Sequence, residues 1–102
     1  MFKIADYMGP KELEEFCRKY HVRKLSLFGS ALNGDLKAQS DIDLLVEFEP
    51  QCTPGLLTLA EMEIKLADTF GRKVDLKTPS ELSPYFRQSV LNDSKLEYVA
   101  EG

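Results

Sequence analysis

Asp41 and Asp43 stand two residues apart at the head of an otherwise aliphatic run, Asp41-Ile-Asp-Leu-Leu-Val-Glu-Phe48. Aspartate is depleted in strands, and the period-two alternation of a strand puts both carboxylates on one face, with Cα atoms roughly 6–7 Å apart. Like charges held that close beside a core repel each other and resist desolvation unless a cation or several donors compensate. A hard divalent ion is the simplest compensation. Oxygen ligands alone suit Mg²⁺ or Mn²⁺ rather than zinc, and the sole histidine, His21, precedes the first strand. Taken alone, Asp-x-Asp reads as readily as a turn cap followed by a solvated face.

Gly29-Ser30 adds a second element. A glycine directly after a strand permits a tight turn and close backbone approach to a ligand. A helical turn after it would aim amide N–H groups and the Ser30 hydroxyl at an anion such as phosphate. The third element is Asp75, in Arg72-Lys-Val-Asp-Leu-Lys77, where it alternates outward with Lys73 and Lys77 while Val74 and Leu76 point to the core. If these strands share a sheet, one face collects Asp41, Asp43 and Asp75 with lysines at its edge and Ser26 nearby. That arrangement suits two-metal phosphoryl transfer, in which ions roughly 3.5–4 Å apart activate a hydroxyl and neutralise the leaving phosphates.

The elements that must position these groups are legible in the pattern. Pro10 to Tyr20 predicts a helix: proline suits its first turn, Glu12, Glu14 and Glu15 favour its positive end, and Leu13, Phe16, Cys17 and Tyr20 form an apolar stripe. Val22–Phe28 predicts a strand with Leu25 and Leu27 on one side and Lys24, Ser26 and Phe28 on the other; Asp41–Phe48 predicts a central strand. Thr53-Pro54 opens a long helix ending at Gly71, although Thr58 and Glu61 offer an alternative capping box. A strand follows over 72–77, then a helix start at Thr78-Pro-Ser-Glu81, continued or restarted at Ser83-Pro84. The stretch from Lys95 to Ala100 reads as an edge strand or a frayed helix.

The 102 residues suffice for one domain, 1–102, and 43% hydrophobic with 29% charged residues is the composition of a folding globule. A net charge of −4 argues against duplex DNA as a partner. No apolar run reaches the roughly 18 residues of a membrane span and the start lacks a signal peptide's apolar stretch, which points to the cytosol. Cys17 and Cys52 have neither redox-pair spacing nor zinc partners and read as ordinary thiols. His21, the four tyrosines and the mixed charges of Glu12 to Lys19 read as capping, packing and solvated residues, and Glu47 lies roughly 13 Å past Asp43 along its strand, too far to share a metal.

Gly29-Ser30, ten intervening residues and Asp41-Ile42-Asp43 resemble the Gly-Ser-x10-Asp-x-Asp signature of the DNA polymerase beta nucleotidyltransferase superfamily. Leu27-Phe28-Gly29-Ser30 and Ser40-Asp41-Ile42-Asp43-Leu44-Leu45-Val46 are similar to its minimal nucleotidyltransferase (MNT) branch. The likeness extends to Arg72-Lys73-Val74-Asp75-Leu76 and to a helix near Leu82-Ser83-Pro84-Tyr85, about residues 10 to 92. The resemblance implies an α/β (α+β) palm, a mixed β-sheet flanked by helices, that uses ATP with Mg²⁺ (two ions, with Mn²⁺ as a substitute). Asp41 and Asp43 would hold both metals, Asp75 would complete the catalytic-metal site and help deprotonate the acceptor, and Gly29 and Ser30 would hold the triphosphate.

Many members of that branch are antitoxins paired with HEPN ribonuclease toxins, some of which they adenylylate on a tyrosine, so the resemblance implies a HEPN-type partner in a hetero-oligomer, with a homodimer as the other arrangement. One departure concerns binding: where the branch commonly has arginine, this chain has Asn33 in Gly29-Ser30-Ala31-Leu32-Asn33-Gly34. Losing a bidentate phosphate contact costs about 1.5–3 kcal/mol, and Lys37, Lys73 or Lys77 would substitute only as point charges. An inactive antitoxin that neutralises by binding is therefore the alternative expectation, and nucleotidylation of a small molecule such as an aminoglycoside is a weaker third.

Overall fold

A computed structural model of the chain describes residues 2–29 and 41–100. After a 3-10 turn at Ile4–Asp6, the chain forms α1 (Pro10–Lys19), β1 (Val22–Phe28), β2 (Ile42–Phe48), α2 (Leu56–Phe70), β3 (Val74–Lys77), a 3-10 turn at Pro79–Glu81, α3 (Pro84–Asp93) and β4 (Lys95–Val99). The four strands make one mixed sheet in the order β3-β2-β1-β4, with β1 antiparallel to β2 and β4, and β2 parallel to β3. The fold is the expected one, a mixed sheet flanked by helices, and β2 is central.

Local chemistry sets the boundaries. Gly9 is extended and its carbonyl accepts from Leu13 N at 3.0 Å, so Pro10 enters the first turn of α1 without losing a bond. Arg18 and Lys19 close the helix at its negative end, and His21, at φ 59°, turns the chain into β1. The start of α2 differs from expectation. Gly55 is extended (φ −75°, ψ 175°) and caps the helix, so Thr53 and Pro54 lie before it, while Glu61 is drawn away from the Thr58 capping box to accept the Tyr20 hydroxyl at 3.1 Å. Gly71 ends α2 in the left-handed conformation, its N–H bonded to Ala67 O at 2.8 Å. Thr78 and Glu81 do form a capping box, but around a single 3-10 turn; the helix restarts at Pro84.

One sheet face carries the core. Leu25, Leu27, Ile42, Leu44, Val46, Val74 and Leu76 pack with Leu13 and Cys17 of α1 and with Met62, Leu66 and Phe70 of α2. Each such aliphatic side chain contributes roughly 1.5–3 kcal/mol on burial. Phe2, Ile4 and Met8 complete this core, with Phe2 and Tyr7 ringed around Phe70 at centroid distances of 5.1–5.7 Å. On the open edge of β3, Leu76 N donates to Glu63 Oε2 of α2 at 2.8 Å, which occupies a donor that would otherwise invite another strand. The other face is partly covered by α3, whose Arg87 fastens it to the preceding turn through Pro79 O (2.8 Å) and Leu82 O (3.2 Å). The stretch left open between strand and helix is the edge strand β4. Among the described residues no helix is long and apolar enough to cross a membrane.

Both cysteines are free, as expected, and differ in reach. Cys17 is fully buried and desolvation pushes its thiol up to about 12, whereas Cys52 is half-buried. A disulfide-exchange reagent applied to native protein at about pH 8 should therefore titrate one thiol rapidly, Cys52, and release the second only in denaturant.

Candidate active site

The site forms where β1 ends and β2 and β3 begin. Phe28 pairs with Asp43 across the antiparallel β1–β2 ladder, and Asp43 pairs with Asp75 across the parallel β2–β3 ladder. Residues paired in this way project to the same face, so the two carboxylates stand on neighbouring strands, opposite the core. The register is pinned beside them by Ile42 N, which donates to Lys73 O at 2.9 Å. Asp41 lies one residue before β2, half-buried, and its charge is felt at Asp43.

Gly29 is required on two counts. Its φ of 68° is in the left-handed region, and a Cβ there would collide with Asp43 Oδ2. Gly29 thus lies directly against the Asp43 carboxylate. Among the described residues one lysine is brought into this group: Lys77 Nζ is 3.7 Å from Asp75 Oδ2, both side chains being 40% exposed. Lys73 precedes β3 and is exposed, so its main chain serves the register while its side chain stays in solvent. Ser30, Asn33 and Lys37 lie outside the described residues. Glu47 shares the Asp43 face as expected, and His21 sits at the far end of β1.

Asp43 is held above the ordinary carboxylate range, first by desolvation, then by the charges of Asp75 and Asp41, with Lys77 opposing. The cluster is therefore short of positive charge among the described residues. Among the described residues no three His, Cys, Asp or Glu side chains are gathered tightly enough to enclose a metal ion, so the carboxylates form an open rather than a closed set. Their chemistry suits a hard cation: oxygen donors only, mutual repulsion, and partial exposure. Two supports were not legible beforehand. The Gly29–Asp43 approach depends on strand register, and the Glu63 clamp on β3 depends on how α2 docks.

This arrangement, a left-handed glycine after one strand and registered aspartates on the next two, is that of a nucleotidyl-transfer palm. Residues 10–96 match the family described as nucleotidyltransferase domain, and the chain belongs to that family. It is 39% identical over 83 residues to the protein adenylyltransferase MntA of Thermococcus cleftensis, a match spanning 81% of this chain and 79% of that protein. The fold is shared with a chain of a toxin–antitoxin crystal structure with AMP-PNP (TM-score 0.72, 24% identity, 92% of this chain and 76% of that one). It is also shared with a chain of the tri-AMPylated Shewanella oneidensis HEPN toxin in complex with MNT antitoxin (TM-score 0.63, 23% identity, 88% and 69%). The chain is accordingly of the nucleotidyltransferase class of enzymes, a family whose chemistry uses a nucleotide and a divalent metal.

Two outcomes are expected. A carboxyl with a raised folded-state pKa binds its proton more tightly when native, so ionising it opposes folding; the penalty is complete above the folded value and disappears below the ordinary value of 3.8. In metal-free buffer Asp43→Asn should therefore melt above wild type at neutral pH, and the gap should close as the pH is lowered through the carboxylate range. Gly29→Ala should lose about 1–2 kcal/mol in denaturant unfolding from left-handed strain and lose catalytic activity with it, because the new methyl displaces the Asp43 carboxylate.

Proposed function

We propose that this chain transfers AMP from ATP, with Mg²⁺, to a tyrosine hydroxyl of a HEPN-type partner protein. The observation that carries the reading is the registered Asp43–Asp75 pair closed off by Gly29, and the protein adenylyltransferase name of the Thermococcus relative supports the choice of transferred group and of a protein acceptor.

In this reading Asp41, Asp43 and Asp75 hold the metal and Gly29 and Ser30 cradle the triphosphate. When bound, divalent ions supply Lewis-acid neutralisation of the phosphates. The phenol oxygen bonds to the α-phosphorus, the bond from that phosphorus to the oxygen bridging to the β-phosphate breaks, and pyrophosphate leaves. Asp75, on the edge strand beside Lys77, takes the phenolic proton. Lys77 adds positive charge beside the carboxylates and holds Asp75 in place, while Lys73 is free to meet the outgoing phosphates from solvent.

A second reading, neutralisation of the partner by binding alone, is favoured by one observation: the carboxylates stand open rather than closed on a common point. The Asp43→Asn variant separates the two. Incubated with the product of the neighbouring reading frame, labelled ATP and Mg²⁺, wild type should label the partner, and the variant should fall by at least about a thousandfold, consistent with losing a group that stabilises the transition state. An unlabelled partner still fully protected by the variant would establish occlusion instead.

A further inference from the structure

The edge strand that carries Asp75 is held from its far side as well as by the sheet. β3 is four residues long, Val74–Lys77, and its neighbour among the described strands is β2. Ile42 N donates to Lys73 O at 2.9 Å, so in this parallel ladder Lys73, Asp75 and Lys77 turn their main-chain groups towards β2, and Val74 and Leu76 turn theirs outward. The outward N–H of Leu76, the residue after Asp75, donates to Glu63 Oε2 of α2 at 2.8 Å. Resting on the reading of Asp75 given above, we propose that Glu63 is a positioning residue for the transfer reaction: its carboxylate keeps β3 where Asp75 stands level with Asp43.

A second hold is needed because of what β3 carries. Asp43 and Asp75 are paired across the ladder, and the charge of Asp75 is felt at Asp43. Their repulsion pushes the edge strand away from β2, and four residues of parallel pairing, the weaker kind of ladder, are left to resist it. Lys77, 3.7 Å from Asp75 Oδ2, restrains the side chain from a half-exposed position and does not grip the main chain. Glu63 grips the main chain itself. An N–H bonded to a carboxylate is charge-assisted, roughly twice as strong as a neutral pair. The base of this clamp is fixed, since Met62 and Leu66 on either side of Glu63 are buried in the core that also takes Val74 and Leu76.

Glu63 works through position and not through its charge. The charges felt at Asp43 are those of Asp75, Asp41 and Lys77, whereas Glu63 reaches Leu76 from the helix that covers the opposite face. A glutamine oxygen in the same place would accept the same bond. Two residues earlier on α2, Glu61 accepts the Tyr20 hydroxyl at 3.1 Å and ties the helix to the end of α1, a bond of similar kind remote from β3.

The test compares Glu63→Ala, Glu63→Gln and Tyr20→Phe in the full chain. In amide hydrogen exchange followed by NMR, the Leu76 N–H should exchange about a hundredfold faster in Glu63→Ala than in wild type, and Glu63→Gln should restore most of the protection. With AMP-PNP present, Mn²⁺ titrated as the probe cation should bind Glu63→Ala about tenfold more weakly. In AMP transfer to the partner, kcat of Glu63→Ala should fall about thirtyfold while the KM for ATP stays within about threefold, and Glu63→Gln should return to within about fivefold of wild type. Tyr20→Phe should lower the melting temperature yet leave Mn²⁺ affinity and kcat within about twofold.

Unchanged Leu76 exchange or unchanged Mn²⁺ affinity in Glu63→Ala would overturn the assignment. So would a glutamine variant no better than alanine, or a Tyr20→Phe enzyme that loses as much kcat as Glu63→Ala, which would reduce the effect to general stability. If wild type transfers no label, the transferase reading fails, and Leu76 exchange with Mn²⁺ binding still decides the role of Glu63. If Glu63→Ala transfers label with the kcat of wild type, the positioning role alone fails.

Discussion

The structure turns on a repulsion that the fold imposes and, among the described residues, relieves only in part. β2 and β3 run parallel in a register that sets Asp43 against Asp75, Asp41 adds a third charge, and among the described residues Lys77, at 3.7 Å from Asp75, offsets them. Left to itself, a sheet would replace such a pair with neutral or opposite charges. What holds it is the core on the reverse face: Ile42, Leu44, Val74 and Leu76 alternate with the aspartates, so a one-residue slip that separated the carboxylates would turn that aliphatic set to water. Burial of the reverse face thus enforces the electrostatic conflict on the front.

Gly29 carries the same logic into the backbone. A side chain there would collide with Asp43, and the left-handed φ excludes most residues on its own account. The glycine therefore does more than permit a turn: it lets the main chain at the end of β1 approach the Asp43 carboxylate. A site in which charge is concentrated and backbone brought close is poised for a ligand that brings positive charge and phosphate together, and that suits the nucleotidyltransferase family to which the chain belongs.

The aspartates, the strands carrying them and the helices behind could be read from the sequence because each rests on a short-range period: alternation of two for Asp41 to Phe48, and three to four for Leu13, Cys17 and Tyr20. What escaped depended on contacts between distant segments. Phe2, Ile4 and Met8 are too few and too irregular to show a period, yet they close the core over Phe70. Glu61 had a local partner in Thr58 and took a distant one in Tyr20, and α2 starts instead after Gly55. Lys73 and Lys77 look equivalent in alternation, but only Lys77 lies within the strand and reaches Asp75.

Ser26 shows why alternation alone could not fix the second face. Its position opposite Leu45 made it a residue of the open side, and the strand pattern carried no sign that α3 would lean over it. α3 buries none of its own residues and is held chiefly by Arg87 to carbonyls of the preceding turn, so it roofs the face without packing it. Leu45 and Ser26 are nonetheless buried, at 2% and 7% exposure, so the face is covered even where the helix beside it buries nothing of its own. The helix meets this face with Leu91, and a cleft of about 430 Å³ at its edge follows from a cover held by polar bonds to its own preceding turn and not by apolar packing on the sheet.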